Sequence, residues 1–323
     1  MKRSLKIGLT LMALGAVLFG VGWMNHGDKA VVWSKSTRGF KTIQEVKRSY
    51  HPGDYQRIVV DSQAPVTIKA GNTNRVTVSY MDGDTSLPKT NVAKGTLTIK
   101  GGVSTSHLSV SIFSVSDRTT TNGGVLVTVP RDKKLDSIVV KKGSGSLSLR
   151  ELQAKQVTIE NADDINLYAL RVDQNIMAHS TDGDVYADHV RAKQLRVNTD
   201  DGDMSISNCQ LTATDNQFVT SDGDIRLSTS RLGGGRVDTA DGDISLQSNR
   251  ITQKLKARTE DGDIHANIAK SAGAKVASQD DDMSDITVLG KHHHSGYWLR
   301  REAKSQYQLT TDDGDVRVAD EAD

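Results

Sequence analysis

Thr181-Asp182-Gly183-Asp184-Val185, Asp200-Asp201-Gly202-Asp203-Met204, Ser221-Asp222-Gly223-Asp224-Ile225, Ala240-Asp241-Gly242-Asp243-Ile244 and Glu260-Asp261-Gly262-Asp263-Ile264 are five returns of one short phrase. Their central glycines stand 19, 21, 19 and 20 residues apart. A fixed period near twenty residues marks a solenoid, in which each repeat is one coil that cannot bury its apolar face alone. Aligned on the glycine, the residue five before it is Ala178, Val197, Phe218, Val237 or Ala257. The residue three before is Ser180, Thr199, Thr220, Thr239 or Thr259. Two after come Val185, Met204, Ile225, Ile244 and Ile264, and four after come Ala187, Ile206, Leu227, Leu246 and Ala266. Apolar or small residues at steps of two give the strand period, and Thr, Val and Ile suit strands. Each repeat therefore reads as a short strand, a bend at Asp-Gly-Asp, a second short strand and a connecting loop.

No repeat carries a 3-4-7 apolar pattern, and twenty residues leave no room for two strands and a helix. The expected fold class is all-β, a parallel β-helix-like solenoid with coils of about 20 residues stacked about 4.8 Å apart. Inward residues then form apolar ladders along the axis. Outward residues of the first strand are often basic (Arg196, Arg236, Lys256, Arg258), and those just after the glycine are acidic (Asp184, Asp203, Asp224, Asp243, Asp263).

Outward from the strict repeats the template decays. Ile138, Val140, Gly145, Leu147 and Leu149 make a coil with Gly143-Ser144-Gly145-Ser146 at the bend, and Val157, Ile159, Asp163-Asp164, Ile165 and Leu167 make the next. After the fifth repeat, Ala274, Val276, Asp280-Asp281-Asp282 and Met283 read as a degenerate coil, followed by an insertion at 291–298. Tyr307, Leu309, Asp313-Gly314-Asp315, Val316 and Val318 then read as the last coil, before a frayed acidic tail at 320–323. The solenoid is expected over residues 55–319, with repeats over 135–319. Residues 55–134 hold strands around Val59, Ile68, Val78, Leu97 and Val127, with turns at Gly71-Asn72, Asp82-Gly83-Asp84 and Asn122-Gly123-Gly124, but no period. They are expected to start the solenoid irregularly and to cap it, since bare end strands invite edge-to-edge pairing.

The chain has 323 residues, enough for one elongated domain or two modest ones. Only 4% of it is aromatic, which stacked Val, Ile, Leu and Ala ladders tolerate. A net charge of +1 argues against nucleic acid as a partner. Residues 1–28 read as a basic flank (Lys2, Arg3, Lys6) and an apolar run long enough to span a bilayer. The basic flank stays in the cytoplasm and places the remainder outside the cell. A cleaved signal peptide is the rival reading. Val21-Gly22-Trp23-Met24-Asn25 lacks a small-x-small cleavage site and puts Trp23 at the interface, which favours an uncleaved anchor. Residues 29–54 read as an extracytoplasmic stalk with Lys35, Arg38, Lys41, Lys47 and Arg48, either solvated or touching anionic polymer or headgroups. One cysteine, Cys209, excludes an internal disulfide.

These residues resemble a bacterial β-strand-repeat family of unknown function that carries the label adhesin. The resemblance rests on the N-terminal anchor, the strand pair around Ile58 and Ile68, Val127-Thr128-Val129-Pro130 leading into Leu135 and Ile138, and the repeated Gly-Asp-Ile/Val coils. It implies a right-handed parallel β-helix-like fold outside the membrane, and some relatives sit in operons for cell-envelope stress sensing. It brings no catalytic residues, and the His-rich insertion has no counterpart in its pattern.

Three readings of the aspartates compete. Glycine tolerates unusual backbone angles and Asp caps its own turn, so Asp-Gly-Asp makes a repeatable bend. Alternatively Asp182, Asp201, Asp222, Asp241 and Asp261 form one row, and Asp184, Asp203, Asp224, Asp243 and Asp263 another, whose hard oxygens suit Ca²⁺. Arg196, Arg236 and Arg258 could neutralise the rows instead. Catalysis by a carboxylate pair needs two distinct environments, and these carboxylates repeat without distinction. His292, His293 and His294 read as a flexible polar insertion or a transition-metal site, and Tyr297 and Trp298 as an aromatic contact for sugar or protein. The expected function is a non-catalytic, membrane-anchored scaffold that meets a cell-wall polymer. The alternatives are a regulatory accessory to an envelope-stress sensor, working through a membrane protein partner, and a carbohydrate-active enzyme.

Overall fold

The computed structural model describes residues 2–24, 31–34, 39–42, 45–81, 86–102, 124–141, 143, 145–278 and 286–321. The turn at Asp82-Gly83-Asp84, most of Asn122-Gly123-Gly124, Ser144, Asp280-Asp281-Asp282 with Met283, and the side chains of Lys2, Arg3, Lys6 and Trp23 lie outside the described residues.

The repeats form a solenoid. First strands such as Gln194–Thr199 and Lys254–Asp261 stack in parallel along one face. Second strands such as Met204–Ser207 and Ile225–Ser228 stack in parallel along another. The connecting loop holds a third, two-residue strand: Arg171–Val172, Arg191–Ala192, Gln210–Leu211 and Arg231–Leu232, again in parallel register. Two residues are too few for an alternating pattern to show in the sequence.

Between the second and third strands the chain turns through a left-handed residue in coil after coil. Glu151, Ala169, His189, Asn208, Thr229 and Ser248 have φ of 56°, 52°, 56°, 53°, 48° and 52°. Asn accepts this region readily, whereas a β-branched residue is strained there. Thr229 is the β-branched member of the row, and Asn208 shows that the corner accommodates Asn. Thr229→Asn should therefore stabilise the protein by about 1 kcal/mol, read as a raised Tm.

The core is a set of one-residue-per-coil ladders. On the second-strand face Val125, Val66, Leu147, Ile165, Val185, Met204, Ile225, Ile244, Ile264, Val316 and Ile286 are successive neighbours, all buried. On the first-strand face Ala178, Val197, Phe218, Val237, Ala257, Leu309 and Val276 do the same. Buried polar residues sit among them, and Asn216 shows how one is held by hydrogen bonds to neighbouring coils. Asn216 accepts from the Leu195 amide at 3.1 Å and donates to the carbonyls of Ala213 and Gly234 at 2.7 and 2.9 Å, so it bridges three coils with its amide satisfied.

The order of those ladders corrects the sequence reading at the C-terminal end. The coil of Gln306–Asp313 and Val316–Asp320 stacks directly on Lys254–Asp261 and Ile264–Ile268. The segment read as a preceding degenerate coil, Gly273–Ser278 and Ile286–Val288, lies outside it. The reason is legible in the glycines. Asp313-Gly314-Asp315 continues the bend ladder, with the Gly262 amide donating to Asp313 O at 3.0 Å, while Asp280-Asp281-Asp282 has no glycine to offer. The N-terminal end mirrors this. Arg57–Asp61 lies between Thr96–Lys100 and Lys134–Val140, and Val66–Gly71 lies between Gly124–Pro130 and Leu147–Arg150. At each end, a coil from the sequence terminus is clasped between two others.

Antiparallel strands close the outermost coils. Arg75–Met81 pairs with Gly124–Pro130, Glu45–Tyr50 pairs with Arg75–Met81, and Lys89–Ala93 pairs with Thr96–Lys100. The N-terminal region thus forms a cap, and the stretch read as a stalk contributes one strand to it. A short antiparallel pair, Val31–Ser34 with Gly39–Thr42, precedes it. The N-terminal run forms one α-helix, Lys2–Met24, with Ile7, Leu11, Met12, Leu14, Val17 and Leu18 exposed. Among the described residues no helix is long and apolar enough to cross a membrane.

Candidate functional site

Every residue of the Thr-x-Asp-Gly-Asp phrase has a partner in the neighbouring coil. The threonine hydroxyl points inward and donates to the glycine carbonyl of the coil before: Thr220 to Gly202 O at 3.2 Å, Thr239 to Gly223 O at 3.0 Å, Thr259 to Gly242 O at 2.9 Å and Thr311 to Gly262 O at 3.0 Å. The first aspartates bridge in parallel, Asp201 to Asp222 to Asp241 to Asp261, with exposed side chains. The second aspartate accepts the backbone amide of its successor: Asp184 from Asp203 at 3.0 Å, Asp203 from Asp224 at 2.9 Å, Asp224 from Asp243 at 2.9 Å and Asp243 from Asp263 at 2.8 Å. Carboxylates one coil apart repel by roughly 1 kcal/mol in water-like dielectric. A hydrogen bond to a charged group contributes about 1.5–3 kcal/mol, so the second row is held by its own backbone despite the repulsion.

The expected neutralising arginines do not reach these rows. Arg196 pairs with Asp215 at 2.8 Å, Arg236 with Asp238 at 2.9 Å, and Arg258 with Asp312 at 2.6 Å and Glu260 at 3.7 Å. They stand on the flat of the first strand, and the Asp-Gly-Asp seam lies at the corner beyond it. Arg196 accordingly holds the Asp215 carboxyl below its ordinary range. Among the described residues no three His, Cys, Asp or Glu side chains converge as a metal site would require.

Beside the seam, the outer face of the second strands is polar and open. In register run Tyr186, Ser205, Arg226, Ser245 and His265, and next to them Tyr168, Asp188, Ser207, Ser228, Gln247 and Asn267. Asp224, Arg226, Asp243, Ser245, His265 and Asn267 line a groove of about 350 Å³ along this face. Tyr186 donates to Asp184 at 2.9 Å, which raises its phenol. Asp188 is the most elaborately held carboxylate. Burial pushes its pKa up, but hydrogen bonds from Asn208, His189 and Ser207, each 2.8 Å, outweigh it and leave the pKa lowered. A depressed folded-state pKa contributes stability above the unfolded value, about 4, that is lost as pH falls through the folded value. Asp188→Asn should therefore flatten the acid limb of the Tm–pH curve below about pH 4 and leave the curve's shape near neutrality unchanged.

The His-rich insertion caps the C-terminal end. Lys291–His292 pairs antiparallel with Ile286–Val288, and Tyr297–Leu299 pairs antiparallel with Gly273–Ser278. His293 stacks on Tyr297 at 3.6 Å between centroids. Trp298 carries Lys275 Nζ at 5.7 Å and the Arg301 guanidinium at 5.4 Å from its ring centre. Trp298 is thus engaged by the protein's own cations, at about 0.5–1 kcal/mol each for an exposed site, and Tyr297 by the His293 ring. Cys209 is buried, and burial pushes its thiol up to about 12. Its Sγ donates to Ser207 O at 3.1 Å.

One row escaped the sequence reading. Eight residues after the first four glycines of the repeated phrase stand Arg191, Gln210, Arg231 and Arg250, and Arg171 takes the same register position one coil earlier. All five are exposed. The signal was present in the alignment on glycine, but it falls in the stretch assigned to the connecting loop.

No protein of curated function matches the chain. Solved structures similar to it include a candidate lipid-binding protein of Parabacteroides distasonis, at 13% identity and a TM-score of 0.47 over 85% of this chain and 96% of that one. A candidate adhesin of Bacteroides fragilis is similar at 14% identity and a TM-score of 0.38 over 86% and 97%. A candidate adhesin of Parabacteroides distasonis is similar at 13% identity and 0.35 over 85% and 97%. The family model described as Toastrack DUF4097 matches residues 55–319, the span of the coils, their interleaved ends and the caps apart from the strand Glu45–Tyr50. The chain belongs to the Toastrack DUF4097 family.

Proposed function

We propose that the protein is a non-catalytic, membrane-anchored solenoid outside the cell that binds cell-wall polymer. The observation that carries this reading is the repetition of polar side chains at fixed register along a stiff ladder, with an open groove on its outer face. A repeating polymer can meet such a face at successive coils, whereas catalysis needs a singular pair of groups in distinct environments. The exposed apolar side chains of the helix Lys2–Met24 support attachment to a bilayer, and the basic residues Lys2, Arg3 and Lys6 of the sequence would set its orientation there. Co-sedimentation of the full-length protein, in mild non-ionic detergent, with isolated cell wall tests the reading. Saturable sedimentation is the expected result. Its absence would move the function to a membrane protein partner and so to envelope-stress regulation. Release of soluble sugar from the wall would point to an enzyme.

Calcium is the cation whose preference for hard oxygens suits the exposed row Asp182, Asp201, Asp222, Asp241 and Asp261, beside Asp184, Asp203, Asp224, Asp243 and Asp263; no three of these side chains converge in the structure, so binding would require the exposed row to draw together around the ion. Bound to the folded state alone, it stabilises by about 2.7 kcal/mol at a hundredfold excess over Kd. The expected sign is a Tm that rises with calcium and falls on chelation; an unchanged melt removes calcium from the account.

A further inference from the structure

Arg171, Arg191, Gln210, Arg231 and Arg250 form a single exposed file along the corner of the coils. Their backbones are tied coil to coil: the amides of Arg191, Gln210, Arg231 and Arg250 donate to Leu170, Val190, Cys209 and Ser230 at 2.8–2.9 Å. The left-handed corner stands two residues before each file member, at Ala169, His189, Asn208, Thr229 and Ser248. The file is therefore a rigid comb with teeth about 4.8 Å apart, roughly 19 Å from Arg171 to Arg250.

Chemically, the file contrasts with the rest of the surface. On the neighbouring first-strand face Arg196, Arg236, Arg258, Lys134 and Lys155 each pair with a carboxylate. Among the described residues, Arg171, Arg191, Arg231 and Arg250 have no ion pair and no side-chain hydrogen bond. Like charges held one or two coils apart repel, and no carboxylate among the described residues pairs with them. At the N-terminal end the file runs into a recess of about 340 Å³ lined by Arg131, Glu151, Leu152, Gln153, Ala169 and Arg171. Gln153 is the file's next member, in register with Arg171. The Glu151 carboxylate there is already paired with Arg131 at 2.6 Å, so every charged member of the file is a cation.

We infer that this file is a docking surface for a linear polyanion carrying phosphodiester-type charges along its length. Guanidinium groups grip phosphate oxygens through paired donors, and the exposed amide of Gln210 adds a donor without charge, while that of Gln153 is held by the Arg131 carbonyl at 3.4 Å. A line of donors at fixed spacing suits a linear chain of acceptors. A bilayer surface would call for exposed large apolar side chains beside the charges, and the described ones outside the N-terminal helix (Tyr50, Met177, Tyr186, Leu289) are not in the file. This surface deepens the wall-polymer reading by naming the chemistry of the polymer and the residues that meet it.

The test uses full-length protein in non-ionic detergent, with long-chain inorganic polyphosphate as the probe and isolated wall as a second arm. Polyphosphate should bind, with log K falling against log[salt] at a slope of about −3 for four contacts. Arg191→Gln with Arg231→Gln should weaken binding about tenfold and cut the slope by about half. Glutamine already occupies this file at Gln153 and Gln210, so the variant keeps its fold, as an unchanged Tm would verify. Arg236→Gln, on the neighbouring face, should leave binding unchanged. Equal binding by wild type and the double variant overturns the inference, as does an equal loss in Arg236→Gln, or binding to phosphatidylglycerol vesicles with none to polyphosphate. If wild type and double variant sediment equally with wall, the file falls and the wall reading stands. If neither sediments while polyphosphate binding needs the arginines, the file stands and the wall reading falls.

Discussion

Gly242→Ala should break the solenoid in its middle. A Cβ on Gly242 would overlap the carbonyl oxygen of Gly223 and lie 2.7 Å from its carbonyl carbon, with Thr239 Oγ1 at 3.1 Å on the other side. The obstacle is backbone held by two sets of coil-to-coil hydrogen bonds, so it cannot rotate away as a side chain would. Overpacking of a tight site costs about 1–3 kcal/mol when neighbours can yield. Here the cost should exceed about 3 kcal/mol, since relief requires separating the coils and losing the Thr239 and Asp243 bonds with them. The melt should drop sharply or split into two transitions as the stack divides. Gly53→Ala, with nothing within 4 Å of the added Cβ, is the matched control and should be near neutral. A Gly242→Ala protein that melts like wild type would show that the bend ladder does not hold the coils in register.

The second large effect concerns the C-terminal end. Removing residues 305–323 takes out an inner coil, because Gln306–Asp313 lies between Lys254–Asp261 and Gly273–Ser278. Tyr307, Leu309, Val316 and Val318 are buried, and each such side chain contributes roughly 1.5–3 kcal/mol or less. The truncation should cost on the order of 5–10 kcal/mol. Amide-exchange protection should vanish from residue 273 through 299, including the intact capping strands Lys291–His292 and Tyr297–Leu299, while Lys254–Asp261 keeps the amides that donate to the preceding coil. In a stack that followed sequence order, only one frayed coil would be lost and protection at Gly273–Ser278 would survive.

The fold was legible wherever one residue type served one position in every coil. The glycine period, the Val/Ile/Leu ladders and the inward Thr file each announced themselves, because stacking demands the same side chain at the same place. Three things did not follow. The coil order at the ends was hidden, since strand periodicity says nothing about which strand is the spatial neighbour. Its one clue was that Asp313-Gly314-Asp315 carries the glycine that Asp280-Asp281-Asp282 lacks. The role of Thr199, Thr220, Thr239 and Thr259 as hydroxyl donors to glycine carbonyls was masked by the strand propensity of threonine, which explains the same letters more cheaply. The arginine file was hidden because its strands are two residues long and sit in what reads as a loop. For the surface, the sequence placed Arg196, Arg236 and Arg258 on the right face but not their partners, which come from turns such as Asp215 and from the far-off Asp312.

A disulfide distinguishes the interleaved stack from a sequential one most directly. Lys256 faces Gln308 in register on adjacent strands, and Gln308 in turn faces Lys275. Adjacent parallel strands stand about 4.8 Å apart, within disulfide reach, and strands two steps apart about 9.6 Å, beyond it. Lys256→Cys with Gln308→Cys should crosslink rapidly under mild oxidation, with the buried Cys209 a bystander, and Lys256→Cys with Lys275→Cys should stay reduced. The reverse pattern, a crosslink between positions 256 and 275 and none between 256 and 308, would contradict the clasped arrangement of the coils.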